Sequence, residues 1–381
     1  MFGFFNRTFY SLGGQYSGWA WIRKGLGLQR REKIENLRKI WHANNLSELP
    51  QHIHIQDVGS KSRRNVIDVS FSRTGRKTRL GFYDIAREEI LNAAPRSALV
   101  EDLQLFLLYI QDNPPPIDKA SLRLRVNHHG QRGIWIDASN INIRSLLNEK
   151  KWLLNIREDA HVEMGQKRKY ITQEHGDLRL DKPVIRPWFV THLEKRGKDV
   201  PLWNVVGGFT QPSIKANRLL VHRVLNIART SGGSRWLEFG AGSGNFTLPF
   251  ASQFEKISAT ETFPPAREGL NKSIRQLRLS SKAEVLNINL LHSTEASRKL
   301  MDTHDALLVD PPRSGLHHTL NTLAESQSPP SIILYVSCFA EALTKDASVL
   351  SSLGYKIEHI EGIDQFPNTP HCQWMALFQK K

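Results

Sequence analysis

Cys338 stands where an apolar strand pattern, Ser331-Ile332-Ile333-Leu334-Tyr335-Val336, runs out. A thiol there would sit at the carboxyl edge of a sheet, where open α/β folds gather their chemistry. Deprotonated, it is a nucleophile; left undisturbed, it is a small buried hydrophobe. Cys372 is the only other cysteine, so neither a disulfide framework nor a four-cysteine metal or iron–sulfur site can be built. A second group follows another apolar run, in Leu307-Leu308-Val309-Asp310-Pro311-Pro312-Arg313-Ser314-Gly315. Its prolines stiffen the turn and hold a carboxylate and a guanidinium at one place. That composition suits docking a planar base against rigid backbone.

A third group is the glycine-rich turn Glu238-Phe239-Gly240-Ala241-Gly242-Ser243-Gly244-Asn245. Gly240 and Gly242 let the backbone approach a ligand, and the helix that follows offers unpaired N–H groups. Dinucleotide, flavin and S-adenosylmethionine sites all use such a turn. Roughly 20 residues on, Ala259-Thr260-Glu261 ends the next strand with a carboxylate suited to a ribose diol. The competing role for Glu261 is an ordinary helix-capping acid.

These groups need a sheet to align them, and the pattern beyond residue 205 supplies one. Strands are predicted at Arg235–Phe239, Lys256–Thr260, Ala283–Ile288, Asp305–Val309 and Ser331–Val336. Helices are predicted between them, at Asn245–Phe254 and Pro264–Leu279 among others. Such alternation implies a parallel sheet covered on both faces. Tyr355–Glu361 and Gln373–Gln379 read as a closing hairpin at the sheet edge.

The first half reads as α+β. A helix is predicted from Glu32 to about Leu49, with Ile34, Leu37, Ile40 and Trp41 at helical spacing. Strands are predicted at Asn65–Phe71, Arg79–Tyr83, Leu122–Val126, Gly133–Asp137 and near Lys169–Ile171. Ala98–Gln111 reads as a buried helix, stopped by Asn113-Pro114-Pro115-Pro116. Pro183–Gly208 reads as an irregular, basic, proline-punctuated connector. The expected domains are a basic extension over 1–50, an RNA-positioning α+β domain over 51–204, and a catalytic domain over 205–381.

Charge separates the two halves. Residues 1–200 hold 34 Lys/Arg against 22 Asp/Glu, whereas residues 201–381 hold 18 against 15. A basic half joined to a nearly neutral one suits a polyanion grip attached to a catalytic domain, and nucleic acid is the expected partner. The first 31 residues contain no acid but include Arg7, Arg23, Lys24, Arg30 and Arg31. That composition fits an RNA-reaching arm or an organelle transit peptide. No apolar run reaches membrane-spanning length, and a cytoplasmic monomer is expected.

Taken together, four segments resemble the tRNA (uracil-5-)-methyltransferase family of class I S-adenosylmethionine-dependent RNA methyltransferases. They are Gly208-Phe209-Thr210-Gln211-Pro212 with Asn217, Val309-Asp310-Pro311-Pro312-Arg313-Ser314-Gly315, Tyr335-Val336-Ser337-Cys338 and Asp364-Gln365-Phe366-Pro367. The resemblance covers roughly residues 205–381. It implies a Rossmann-like domain with a mostly parallel sheet and an antiparallel edge strand. It further implies that Gln211, Gly240, Gly242, Asn245, Glu261 and Asp310 surround S-adenosylmethionine. Arg313 would support the reacting pyrimidine and Cys338 would attack it. The lack of a cysteine set for a cluster resembles the tRNA branch more than the ribosomal branch that carries one.

Carbon 5 of uracil is a poor nucleophile, so the implied chemistry is thiolate addition at carbon 6 followed by methylation at carbon 5. A base must then remove the carbon 5 proton before the thiol can leave. The sequence departs from the family at that step. Thr369-Pro370-His371-Cys372-Gln373-Trp374 carries Gln373 where the family has glutamate, and Phe339-Ala340 follow Cys338 where it usually has Asn-Pro. Three outcomes are consistent with the residues: turnover with His371 or a water as substitute base, a stalled covalent adduct, or an inactive paralogue that binds RNA or cofactor. An NAD-dependent oxidoreductase would explain neither the Asp-Pro-Pro-Arg loop nor the basic half. Phe209, Phe339 and Phe366 are candidates for stacking on a flipped base, with core packing as the competing role.

Overall fold

The computed structural model describes residues 30–46, 49–59, 63–75, 77–84, 88–91, 96–137, 142, 146–165, 169–175, 177–367 and 369–380. The expected basic arm before residue 30 lies outside the described residues. Two compact units form. One holds residues 63–188 and 205–208; the other holds 28–62, 189–204 and 209–381. The described residues from 30 to 59 group with residues 209–380, and so does most of the stretch expected to be a connector.

The catalytic unit is built on eight strands in the order His54–Asp57, Lys356–Asp364, Gln373–Gln379, Ile332–Ser337, Ala306–Val309, Arg235–Phe239, Lys256–Thr260 and Ala283–Leu286. From Ile332–Ser337 to Ala283–Leu286 every pairing is parallel. Their sequences are near-continuous apolar runs because both faces are covered; all six residues of Ile332–Ser337 are buried. One face packs helices Ile214–Ser231, Thr247–Gln253 and Pro264–Gln276. Helices Arg30–Ala43, Thr319–Glu325 and Ala340–Ser352 contribute to the core on the other face.

Chain order reverses at Arg235–Phe239. Successive strands run outward from it on one side, and Ala306–Val309 begins the other side. Ligands of open α/β sheets bind at such a switch point, at the carboxyl ends of the strands. Gln373–Gln379 pairs antiparallel with Ile332–Ser337, through Ser337 opposite Trp374. Its first residue therefore lies at the same edge as the last residue of its neighbour. The closing hairpin does not end the sheet, because His54–Asp57 adds parallel to Lys356–Asp364 with Asp57 opposite Asp364. This four-residue strand is too short to announce itself by periodicity.

Helix Arg30–Ala43 is shorter than the pattern predicts, and it turns Lys33, Leu37 and Trp41 inward. Burying Leu37 and Trp41, 0% and 2% exposed, is worth about 2–3 kcal/mol each by area. Ser213 caps helix Ile214–Ser231 by accepting from the Ala216 N–H, and Gly232 ends it in the left-handed conformation at φ 89°.

The other unit is a second eight-stranded sheet. Its order is Glu89–Leu91, Lys77–Asp84, Val66–Thr74, Lys119–Val126, Arg132–Asp137, Ala160–Met164, Lys169–Glu174 and Asp177–Asp181. Helices Glu101–Asp112 and Lys150–Asp159 share its core. Residues 183–208, expected to be irregular, contain strands Arg186–Leu193 and Lys198–Asn204, paired around a turn at Glu194–Arg196. Pro187 and Pro201 hid these strands; a two-stranded ribbon tolerates proline because each strand keeps a free edge. Among the described residues no helix is long and apolar enough to cross a membrane.

Candidate active site

At the switch point the chain leaves strand Arg235–Phe239 through Gly240 and Gly242, at φ 69° and 57°. Side chains rarely adopt these values, so glycine is favoured there. A Cβ at either position would meet no atom within 4 Å, so the loop presents open space. Glu261 fastens the loop from the next strand: its Oε2 accepts from the Gly242 N–H at 2.7 Å and its Oε1 from the Phe263 N–H at 2.5 Å. Two hydrogen bonds per carboxylate leave lone pairs free for a hydroxyl.

Asn245, expected beside the cofactor, also has a structural part. Its amide makes a reciprocal pair with Asn217, 2.8 Å each way, and its carbonyl accepts from Thr191 Oγ1 at 2.8 Å. The side chain braces the turn against helix Ile214–Ser231. Gln211 is buried and donates through Nε2 to Asp310 Oδ2 at 3.0 Å.

Asp310 lies just past the end of strand Ala306–Val309, where burial pushes its carboxyl up to about 7. Glu238, quoted in the glycine motif but not singled out from sequence, sits one residue before the end of its strand. It is buried and accepts from Thr247 Oγ1 at 2.6 Å. Burial, with repulsion from Asp310 and Glu261, pushes Glu238 up to about 8. Among the described residues no Lys or Arg pairs with any of these three carboxylates, so the site is poised to receive a positive charge. An open glycine turn, a ribose-accepting carboxylate and a cation-seeking acid group fit S-adenosylmethionine, whose sulfonium carries that charge.

The chain turns sharply at Cys338. Ser337 Oγ donates to the Phe339 carbonyl at 3.0 Å and accepts from the Phe339 N–H at 3.1 Å, so the residues on both sides of the cysteine are tied together. Burial raises the thiol above its ordinary value. The charge of the Arg313 guanidinium pulls the other way, while Asp310 adds to the rise. Arg313 thus offsets part of what burial costs the thiolate.

The loop bearing Arg313 is anchored by Asp346, which sequence reading overlooked. Its Oδ2 accepts from the Leu316 N–H at 2.7 Å and from the Tyr335 hydroxyl at 2.6 Å. Gly315, at φ 85°, passes so close that a Cβ would come within 2.7 Å of the same oxygen. An acid among the inward positions Ala342, Leu343, Ala347 and Leu350 of its helix was the available signal.

Gln373 opens the last strand, one residue before the Trp374–Ser337 pair, so the register carries it beside position 338. It is buried, and its Oε1 accepts from Gln365 Nε2 at 2.7 Å, while Gln365 Oε1 has no partner. His371, two residues earlier, is partly enclosed. Burial and the nearby cations Arg313 and Lys33 hold its imidazole down at about 4. Its ring lies 6.3 Å from that of Phe339 and 6.5 Å from that of Phe366. None of the three candidate phenylalanines is core: Phe339 and Phe366 are half-buried, and Phe209 is 68% exposed.

In the other unit, part of the basic surplus is structural. Arg123 clasps Asp68 at 2.7 and 3.0 Å and donates to the Gly207 carbonyl at 2.7 Å. Arg125, held down to about 9 by burial, donates to the Gly208 carbonyl at 2.9 Å. Both guanidiniums shape the segment just before Phe209.

A family model described as tRNA (uracil-5-)-methyltransferase matches residues 181–381. The chain belongs to this family. An uncharacterised RNA methyltransferase of Bdellovibrio bacteriovorus is 31% identical over 363 residues, covering 93% of this chain and 91% of that one. A 23S rRNA (uracil(1939)-C(5))-methyltransferase of Nitrosospira multiformis is 34% identical over 173 residues, covering 45% of this chain and only 39% of the relative. The crystal structure of Pyrococcus abyssi tRNA (uracil-54, C5)-methyltransferase with S-adenosyl-L-homocysteine shares the fold, at TM-score 0.60 and 18% identity over 92% of this chain and 84% of that one. As a member of the family, the chain is an S-adenosylmethionine-dependent RNA methyltransferase with a Rossmann-like catalytic domain and an α+β companion.

Proposed function

We propose that this chain methylates carbon 5 of a uridine in RNA, most plainly tRNA, through a covalent bond from Cys338 to carbon 6. The observation that carries the proposal is the strand register that brings Gln373 beside Cys338, with the Arg313 guanidinium near enough to oppose the effect of burial on the thiol. Arg313 favours the thiolate that adds to carbon 6, and Asp310, Glu261 and the Gly240–Gly242 turn hold the cofactor. S-adenosylmethionine, when bound, supplies an electrophilic methyl group for carbon 5. Removal of the carbon 5 proton then sends an electron pair back into the ring, and the carbon 6–sulfur bond breaks with thiolate as leaving group.

The acceptor of that proton is His371 in this reading. Gln373 cannot accept it, because a neutral amide is far too weak a base. The His371 imidazole, held at about 4, is neutral at physiological pH and matches the basicity of an ordinary carboxylate. A stalled adduct is the second reading, favoured by the half-enclosed setting of that ring. The basic N-terminal half grips the RNA, and a cytoplasmic location accords with this substrate.

The test is incubation with S-adenosylmethionine and unmodified tRNA, followed by a denaturing gel and mass analysis of nucleosides. 5-Methyluridine, absent with Cys338→Ala, supports the proposal. RNA binding with neither an adduct nor methyl transfer refutes it. His371→Ala is expected to accumulate the adduct, and Gln373→Glu to raise turnover about tenfold or more. A His371→Ala protein with unchanged turnover assigns the base elsewhere.

A further inference from the structure

Lys33 shares a helix face with Leu37 and Trp41, and its side chain has no solvent exposure. A buried ammonium persists only where its protons are matched. Nζ donates to Asp364 Oδ1 at 2.6 Å, to the His371 carbonyl at 2.9 Å and to the Phe366 carbonyl at 3.1 Å. The three acceptors are the last residue of strand Lys356–Asp364 and two carbonyls of the loop that joins it to strand Gln373–Gln379. That loop carries His371 and delivers Gln373 beside position 338. An apolar residue at 33 would extend the Leu37–Trp41 stripe, and buried ion pairs are often no more stabilising than such a replacement. Stability alone therefore does not account for a lysine here, whereas the geometry of its acceptors does.

We propose that Lys33 is a positioning residue for the proton-removal step, holding the Asp364–Gln373 loop so that His371 faces the reacting base. A helix near the start of the chain, outside the segment matched by the family model, thereby becomes part of the catalytic apparatus. The proposal rests on the uridine reading with Cys338 as nucleophile. Lys33 acts through the loop and touches no substrate. It also keeps a positive charge near His371, which holds that imidazole in its proton-accepting form.

The experiment compares the full chain with Lys33→Met and Asp364→Asn in two assays. RNA containing 5-fluorouridine has fluorine where the proton would be lost, so addition and methylation proceed but release cannot. Unmodified RNA reports complete turnover. Trapping within about threefold of wild type, with turnover down about tenfold or more and covalent enzyme–RNA accumulating, is the expected result. Lys33→Met should also move the acid limb of the release step upward in pH, because a cation beside His371 is gone. Trapping and turnover falling in parallel, or turnover unchanged, overturns the proposal. Should Lys33→Met lack a cooperative melt, the same comparison in Asp364→Asn decides alone. A wild-type chain that neither traps nor methylates RNA overturns the uridine reading itself, and the proposal with it.

Discussion

Replacing Glu238 by glutamine removes one ionisable proton from the middle of the sheet edge while keeping the side chain's shape. Glutamine can still accept the Thr247 hydroxyl through Oε1. In the native chain burial pushes Glu238 from 4.5 to about 8, with repulsion from Asp310 and Glu261 adding to the rise. A carboxyl whose folded value is raised contributes stability that is complete below its unfolded value and lost as pH climbs through the folded one. Each pH unit between 4.5 and about 8 therefore costs the native protein about 1.4 kcal/mol, roughly 5 kcal/mol over the interval. Urea unfolding without ligand, near pH 5 and near pH 8.5, reads this directly. Glu238→Gln is expected to be within about 1 kcal/mol of wild type at the lower pH and several kcal/mol more stable at the higher. A gain that is equal at both pH values, or a loss at the higher one, would refute the assignment of a buried proton to Glu238.

The same carboxylates make a ligand prediction. Affinity for cationic S-adenosylmethionine relative to neutral S-adenosylhomocysteine should rise as pH passes through about 7, where Asp310 deprotonates, and a flat ratio by calorimetry would count against it. Phe209→Ala should weaken RNA binding or turnover by about 1–3 kcal/mol if the exposed ring stacks on a base, with the melt moved by less than about 0.5 kcal/mol. A large loss of stability with intact kinetics would return Phe209 to a packing role. Asp346→Ala strands the buried Tyr335 hydroxyl and the Leu316 N–H, so about 2–4 kcal/mol of stability should go. Asp346→Asn, which keeps an acceptor, should recover much of that loss in urea melts.

The parallel half of the fold was legible because its strands are buried on both faces. Arg235–Phe239 and Lys256–Thr260 have the bounds their apolar runs predict, as does the antiparallel Gln373–Gln379. The motif residues fall at the carboxyl edge because an α/β alternation leaves them nowhere else to go. Ribbon Arg186–Leu193 with Lys198–Asn204 was not legible, since proline and charge within it mimic a linker. His54–Asp57 was not legible either, because its partner lies some 300 residues away in sequence.

The residue types by themselves determined the chemistry: a thiol after one strand, an acid and a guanidinium after another, a glycine turn between, and an amide where a base is needed. These are local facts, written in spacing and side-chain identity. Tertiary structure alone decided which charges are exposed and which are enclosed. Lys33 reads as a surface residue among Arg30, Arg31 and Glu35, yet its acceptors arrive from residues 364–371 and fill every one of its donors. Nothing in the sequence marks how deeply Glu238 and Asp310 are enclosed, yet burial raises both, and repulsion from Asp310 and Glu261 adds to the rise at Glu238. Desolvation and Coulomb coupling depend on neighbours brought together by folding, and that is why candidate residues can be named from the chain while their protonation and support cannot.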